Sequence, residues 1–251
     1  MINSEAIDII GIEHKILDKG YVKLINFMGS DASVVQAARQ STTGDLKSYE
    51  EDVKLLSYLY RNQHMTPFEM VEVVFELKVP MVIGEQILRH RTFSYNKFSG
   101  RYSQMPDEYY RVEKKVNWNS EKVDLPYFLP AQNKKNNQSS DGMVEVPMDV
   151  VHNWLDEADS AFDSYSELID SGVSKEVARL NLPLSTYTKM WMKGNLRNFM
   201  HFLELRMDSH AQWETQQYAN KMHEIISKIA PESMKLFDRY KYKLVDTHAT
   251  T

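Results

Sequence analysis

The sequence predicts a single α+β domain in which helices pack on a small, mostly antiparallel sheet. Segments with helical and with strand periodicity both occur, but they do not form the regular alternation of a dinucleotide-binding fold. The sequence also lacks a G-x-G-x-x-G segment and a P-loop lysine motif, so we expect no Rossmann unit. With 251 residues, 42 % of them hydrophobic, the chain is long enough for one large domain spanning residues 1–251.

The first hundred residues contain clear strand and helix patterns. Residues 48–62 have apolar side chains at three- and four-residue spacing, which is typical of an amphipathic helix. Residues 71–79 mostly alternate, which indicates a strand with one buried face. The predicted elements here are strands at 21–28 and 71–79, a helix from Ser30 or Asp31 to Arg39, a helix at 48–62, and a helix from Pro80 that carries Gln86, Arg89 and His90 near its C-terminal end.

The middle of the chain changes character. Residues 113–147 are polar and poor in periodic apolar positions, so we expect a surface insertion that is partly mobile. A helix is predicted at 148–171, ending at Gly172, with Val151, Trp154, Ala158, Phe162 and Leu168 facing inward. Beyond it we expect a short helix at 174–180, a strand at 187–192, and helices at 196–207, 211–229 and 232–242. The methionines and aromatic residues of 187–207, such as Trp191, are expected in the core.

Composition excludes several classes of function. The net charge of −5 argues against a general nucleic-acid-binding surface. The absence of cysteine excludes disulfides, thiolate metal sites and a thiol nucleophile, and fits a reducing cytoplasm. The N-terminus has no signal-peptide pattern, and no apolar run approaches the ~18 residues of a membrane span, so no membrane association is expected.

Residues 89–103 combine three arginines, a histidine and several hydroxyl groups around Gly100. A guanidinium group offers a rigid fork of donors that fits two phosphate oxygens at once. A Ser-Gly pair adds a hydroxyl and a backbone N–H that can approach an anion closely. The segment therefore predicts a phosphate-binding site, although a solvated basic helix end is an alternative for Arg89-His90-Arg91 taken alone.

The spacing of this segment resembles that of a known enzyme family. Arg89-His90-Arg91, followed by seven residues and Ser99, is similar to the motif of the flavin-dependent thymidylate synthases. Three other blocks agree with the family in the same order along the chain, at 64–69, 176–179 and 205–219. Agreement at four separated places makes chance similarity an unlikely explanation.

The resemblance implies a specific reaction and assembly. Members of this family have their own α+β fold and form homotetramers whose active sites are built from several subunits. They convert dUMP to dTMP, with methylenetetrahydrofolate as carbon donor, NADPH as reductant and FAD as hydride carrier. The best-known thymidylate synthases attack uracil with a cysteine, so a chain without cysteine fits the flavin route.

The resemblance also assigns candidate site residues. The residues matching its dUMP site are Gln86, Arg89, Ser99, Gly100, Arg101, Arg179 and Arg206, with Arg179 reaching the nucleotide from a neighbouring subunit. The residues matching its FAD site are Ser41, His64, Arg89, His90, Arg91, Asn195, Arg197 and His201. Two positions depart from the family pattern, since many members carry Glu in place of Lys97 and Asn in place of His201.

Arg206 is the candidate catalytic residue. Uracil becomes nucleophilic at C5 when N3 loses its proton, and a fixed cation nearby lowers the pKa of that group. Arg206, His210 and Glu214 are spaced to share one helix face if the helix is unbroken. No metal site is expected, because His210 and Glu214 lack an evident third ligand.

Several alternatives remain open from the residues alone. Arg179 fits a helix-end salt bridge, His64 a loop-capping histidine, and the 206–214 series a surface ladder of charges. A non-catalytic nucleotide-binding or RNA-binding protein would also carry arginines, but it would show a broad basic face. Another folate- and flavin-dependent methyltransferase, such as a tRNA methylase, would normally show a dinucleotide fingerprint.

Overall fold

A computed structural model describes residues 4–41, 47–112, 127–134 and 140–240. Within these ranges the strands are β1 (Glu13–Ile16), β2 (Gly20–Met28), β3 (Glu72–Pro80), β4 (Ser94–Lys97), β5 (Tyr127–Gln132), β6 (Ser140–Val146) and β7 (Tyr187–Asn195). The α-helices are α1 (Ser4–Ile7), α2 (Asp31–Arg39), α3 (Tyr49–Arg61), α4 (Met81–Leu88), α5 (Met148–Asp170), α6 (Lys175–Ala178), α7 (Leu196–Arg206), α8 (Trp213–Ile229) and α9 (Pro231–Tyr240). Short 3₁₀ segments lie at Thr66–Met70 and Arg179–Asn181.

Five strands form an antiparallel sheet in the order β1-β2-β3-β7-β4, which confirms the predicted α+β class. The alternation in β3 sets the side that is buried, because Val73, Phe75, Leu77 and Val79 are fully inaccessible to solvent. Burying each such side chain contributes about 1.5–3 kcal/mol. The predicted strand is therefore confirmed, and it lies at the centre of the sheet.

Helix starts follow the local sequence. Ser48 has the extended backbone of an N-cap, and its hydroxyl accepts a hydrogen bond from the Glu51 amide at 3.4 Å. The Glu51 carboxylate in turn accepts from the Ser48 amide at 3.4 Å, which completes a capping box at the start of α3. Ser30 is the N-cap residue of α2 and has an extended backbone. The sequence had left the start of this helix open between Ser30 and Asp31.

The core lies between the sheet and three C-terminal helices. Phe199 of α7 packs edge-on against Phe75 of β3, with ring centroids 5.5 Å apart. Met222 and Ile226 of α8 and Phe237 of α9 are also buried in this core. This packing fixes the N-terminal end of α8 beside α4, where several candidate site residues lie.

Three predictions about packing were wrong. Trp154 and Leu168 do not face inward, since they are 46 % and 39 % exposed. The predicted Val151 and Phe162 are buried, and Tyr165, which the sequence did not single out, is buried with them on α5. Trp191 is 47 % exposed rather than in the core, because it lies on the open face of the sheet and donates from Nε1 to Glu76 at 3.1 Å.

The insertion at 113–147 contains a hairpin that the sequence did not predict. Strands β5 and β6 pair antiparallel in a separate two-stranded sheet. Neither strand alternates regularly between apolar and polar residues, and most of their described positions are exposed, so the period-2 pattern of a half-buried strand is absent. Residues 113–126 and 135–139 lie outside the described part of the chain, so the predicted character of the insertion stays a prediction.

Arg206 and Glu214 lie on separate helices, as the predicted helices at 196–207 and 211–229 imply, so the condition for one shared helix face is not met. Helix α7 ends at Arg206 and α8 begins at Trp213. Between them the Asp208 carboxylate accepts a hydrogen bond from the His210 amide at 2.8 Å, and the Asp208 carbonyl accepts from the Ala211 amide at 3.0 Å. Asp offers the backbone a local alternative to the helix, and this turn uses it.

Candidate functional site

The end of α4 carries the first group of candidate residues. Arg206, the last residue of α7, donates from Nε to His90 Nε2 at 2.9 Å and from Nη2 to the Gln86 carbonyl at 3.2 Å. The two contacts pin the C-terminal end of α4 to the C-terminal end of α7. Arg89 follows α4 directly as its C-cap residue, and His90 lies just beyond the helix.

His90 is held as a neutral imidazole. Burial, and then the nearby charges of Arg206 and His201, lower its pKa to about 4. A neutral ring lets Nε2 accept the hydrogen bond from Arg206, and the ring also packs edge-on against Phe202 at 4.9 Å between centroids. His90 therefore orients the Arg206 guanidinium without adding positive charge at neutral pH.

The positive charges of this group have no compensating carboxylates. Within the described ranges, no ion pair involves Arg89, Arg91 or Arg206. Burial and the charge of Arg89 both lower the pKa of Arg206 from its usual high value. Neighbouring cations that repel one another and have no acidic partner in the described ranges are typical of a site that binds an anionic ligand.

The Gln86 side chain is held from α8. Its Nε2 donates to Gln212 Oε1 at 2.5 Å, and its Oε1 accepts from Thr215 Oγ1 at 2.8 Å. The sequence did not single out Gln212 or Thr215, although both fall in the block 205–219 that resembles the family. Both residues contact Gln86, which is more than a hundred residues away in sequence, and no local pattern predicts such a contact.

Ser99, Gly100, Arg101 and Arg179 form a second group. The Ser99 hydroxyl accepts from the Arg101 amide at 3.3 Å. A Cβ on Gly100 would lie 2.6 Å from Met105 Sδ and 3.1 Å from Arg179 Cδ, so the backbone there approaches both side chains closely. Arg179 therefore lies beside Gly100 of the same chain. If an active site is shared between subunits, one chain would contribute both residues to it.

Acidic partners hold other candidate cations in place. Arg101 pairs with Glu176 at 2.9 Å, Arg197 with Glu69 at 2.6 Å, and Lys97 with Glu85 at 3.0 Å. The side chains of the first two pairs are largely exposed, so each pair is expected to contribute less than about 1 kcal/mol. The ion pair between Lys97 and Glu85 links β4 to α4. Lys97 departs from the family pattern, and its side chain forms this link.

A cavity of about 550 Å³ adjoins the α7 candidates for the flavin. Arg197 and His201 line it together with Thr92 and Asn198, and His201 is 6.4 Å from His90 between ring centroids. Asn195 has a further role as the N-cap of α7, because its Oδ1 accepts from the Asn198 amide at 3.0 Å. The lining combines the donors Arg197, Asn198 and His201 with apolar side chains and the Glu204 carboxylate, so it offers partners to both the polar groups and the ring of a flavin nucleotide.

Ser41 and His64 make local contacts. Ser41 is exposed and donates to the Ala38 carbonyl at 3.0 Å, directly before residues 42–46, which lie outside the described ranges. His64 is exposed in the turn after α3, where its ring packs edge-on against Tyr58 at 5.7 Å between centroids. Its chain neighbours Gln63 and Met65 line the same cavity as His201, so His64 lies next to the candidate flavin cavity, whereas no described contact joins Ser41 to it.

The described ranges contain no group of three or more His, Cys, Asp or Glu side chains that could hold a metal ion. No helix in these ranges is both long and apolar enough to cross a membrane.

Comparison with known proteins gives consistent matches. The sequence model of the Thy1 family, described as thymidylate synthase complementing protein, matches residues 23–232. A flavin-dependent thymidylate synthase from Ehrlichia ruminantium (strain Gardel) is 40 % identical over 236 residues, covering 94 % of this chain and 76 % of its own. One from Thermotoga neapolitana is 39 % identical over 228 residues, covering 91 % and 95 %.

A solved structure agrees with the sequence matches. The UMP/dUMP methylase PolB from Streptomyces cacaoi, bound with 5-Br dUMP, superposes with a TM-score of 0.75 at 29 % identity. The match covers 90 % of this chain and 97 % of PolB. Since the family model spans most of the chain and the relatives agree over nearly its whole length, the chain belongs to the Thy1 family of flavin-dependent thymidylate synthases.

Proposed function

We propose that this chain catalyses the reductive methylation of dUMP to dTMP, with methylenetetrahydrofolate as carbon donor and NADPH as reductant. The observation that carries the proposal is the proximity of Arg89 and Arg206, with Arg91 two residues beyond Arg89, since none of the three has a carboxylate partner in the described ranges. Such a cluster suits anionic nucleotides, and family membership supplies the reaction class. The chain has no cysteine, so uracil activation here does not use a thiol.

FAD is the cofactor of this family, and the residues fit it. Arg89, His90 and Arg91 would hold the flavin nucleotide from the end of α4, and Asn195, Arg197 and His201 from α7. Ser41 and His64 would contribute from other places, as the resemblance implies. When bound, the flavin carries the hydride that reduces the transferred one-carbon group to a methyl group.

Arg206 has the features required to activate uracil. Its guanidinium is oriented by His90 and the Gln86 carbonyl, which fixes the direction of its N–H groups. Because no carboxylate in the described part of the chain pairs with it, its charge is available to stabilise uracil as N3 loses a proton. Gln86 and Arg89 lie on the same helix end and would position the nucleotide next to Arg206.

Ser99, Gly100, Arg101 and Arg179 would bind the dUMP phosphate as one unit. Exposed apolar side chains flank this unit, since Tyr102, Leu180 and Leu184 are 76 %, 75 % and 66 % exposed. A patch of this kind supports association with another copy, in the homotetramer that the resemblance implies. Light scattering tests the assembly, and a stable monomer at working concentration would contradict it.

Flavin content tests the cofactor assignment directly. We expect purified protein to be yellow, with one FAD per active site. The double variant His90→Ala/Arg91→Ala should lose flavin, because each charge-assisted or polar contact to phosphate contributes on the order of 1.5–3 kcal/mol. His152→Ala, at an exposed position on α5, serves as control and should keep flavin. Stoichiometric flavin in the double variant would contradict the assignment.

A further inference from the structure

The environment of Thr215 is unusual for a threonine in the first turn of a helix. Its side chain is fully buried, and its hydroxyl donates to Gln86 Oε1 on another helix at 2.8 Å. A threonine inside a helix can bond to the backbone carbonyl four residues earlier. Here the Ala211 carbonyl accepts instead from Gln216 Nε2 at 2.8 Å, and the Thr215 hydroxyl is directed to Gln86.

Thr215 and Gln212 together hold both ends of one amide. Gln86 Nε2 donates to Gln212 Oε1 at 2.5 Å, while Gln86 Oε1 accepts from Thr215. The Gln86 backbone is held as well, because its carbonyl accepts from Arg206 Nη2 at 3.2 Å. A glutamine side chain that would otherwise sample many rotamers is therefore fixed in one orientation.

The fixed amide retains hydrogen-bonding capacity. An amide nitrogen has two hydrogens, and Gln212 takes one of them. Among the described contacts nothing accepts from the second N–H, so it is available to an acceptor oxygen of a ligand, and the nucleotide carries such oxygens on both its phosphate and its uracil ring. A donor that is already oriented before binding loses less rotational freedom when the ligand arrives.

We propose that Thr215 is a positioning residue for substrate, which acts with Gln212 to orient the Gln86 amide toward an acceptor oxygen of dUMP. The proposal rests on the proposed function, because it takes Gln86 as a residue that contacts dUMP. Thr215 itself contacts no substrate, so its loss should affect nucleotide affinity rather than the chemical step.

The test uses the FAD-loaded full-length protein. It compares the Kd for dUMP, measured by titration calorimetry, with KM and kcat in Thr215→Val and Thr215→Ser. We expect Thr215→Val to raise Kd and KM for dUMP roughly three- to tenfold with kcat within about twofold of wild type. Thr215→Ser keeps the hydroxyl and should restore near wild-type affinity. Thr188→Val, at another buried threonine in β7, controls for the loss of a buried hydroxyl and should leave Kd unchanged.

A cycle with Gln86→Leu separates positioning from general packing. If Thr215 acts through Gln86, Thr215→Val should weaken dUMP binding no further in the Gln86→Leu background. Gln212→Ala, at an exposed position, should weaken binding in the wild-type background even if Thr215→Val folds poorly. Wild-type affinity in Gln212→Ala and in folded Thr215→Val, with weak binding in Gln86→Leu, would overturn this inference alone. Undiminished dUMP binding in Gln86→Leu would overturn both this inference and the assignment of Gln86 to the substrate site.

Discussion

At the scale of single residues, the main finding is how Arg206 is held. A long cationic side chain near the surface normally samples many rotamers, or pairs with a carboxylate that reduces its field. Arg206 instead donates to a neutral imidazole and a backbone carbonyl, which orient it without neutralising it. This arrangement suits a group whose charge matters most when the substrate ionises.

The division of labour between Ser99 and Arg206 gives a first prediction. Ser99 lies beside Gly100 and Arg101, and its hydroxyl accepts only a local backbone hydrogen bond among the described contacts. We expect Ser99→Ala to weaken dUMP binding by about 1 kcal/mol and to keep turnover at saturating substrate. Arg206→Ala should instead lower kcat roughly 100- to 1,000-fold with a smaller change in KM. Steady-state kinetics on both variants decide this.

Two results would contradict that division. A covalent dUMP adduct on Ser99 in mass spectra would make Ser99 a nucleophile. Complete inactivity of Ser99→Ala with dUMP demonstrably bound would have the same consequence. A nucleophilic serine needs an adjacent base, and no described contact places the His90 ring against Ser99.

His90 gives a prediction about pH. Its pKa is lowered from 6.5 to about 4 in the folded protein, chiefly by burial. Below pH 6.5 the unfolded chain therefore binds a proton that the folded chain does not, so the free energy of unfolding falls as pH decreases toward 4. Between pH 7 and 5 this group should contribute a loss of about 1 kcal/mol, after allowance for solvent screening.

Urea unfolding at pH 7 and pH 5 measures this effect. His90→Gln keeps an acceptor for Arg206 but does not titrate, so it should lose less stability than wild type over this range. His152→Gln, at an exposed site on α5, should behave as wild type. Equal pH dependence in wild type and His90→Gln would show that His90 is not held neutral by the fold.

At the scale of elements, the start of α7 combines two roles in Asn195. Its side chain caps the helix, and the resemblance also assigns it to FAD. We expect Asn195→Ala to lower stability by about 1 kcal/mol and to weaken flavin binding. Asn195→Ser can still cap the helix, so it should keep stability and lose only flavin affinity. If Asn195→Ser binds FAD as tightly as wild type, capping alone accounts for this residue.

Elements with their own local signal were predicted well. The Ser48 and Glu51 capping box, the alternation of β3 and the glycine at the end of α5 each mark a structure that forms from neighbouring residues. Gly172 indeed has a φ of +85°, which favours glycine. The β5–β6 hairpin was missed, because its strands lack apolar alternation, whereas the break between α7 and α8 agrees with the separate helices predicted at 196–207 and 211–229.

At the scale of the whole molecule, the candidate site has two parts on different segments. Gln86, His90 and Arg206 lie where α4, α7 and α8 meet. Gly100 lies against Arg179, which follows α6. The motif residues themselves were predictable from the sequence, since they are contiguous. Their partners, such as Thr215 for Gln86 and Glu85 for Lys97, were not, because only the tertiary fold brings them together.

The whole molecule is expected to methylate dUMP at C5 with a flavin and no thiol. The most direct test is tritium release from 5-tritiated dUMP by the FAD-loaded protein. We expect release that depends on both NADPH and methylenetetrahydrofolate, is accompanied by formation of dTMP, and is greatly reduced in Arg206→Ala. No tritium release and no dTMP from folded, flavin-loaded protein with all substrates present would contradict the account.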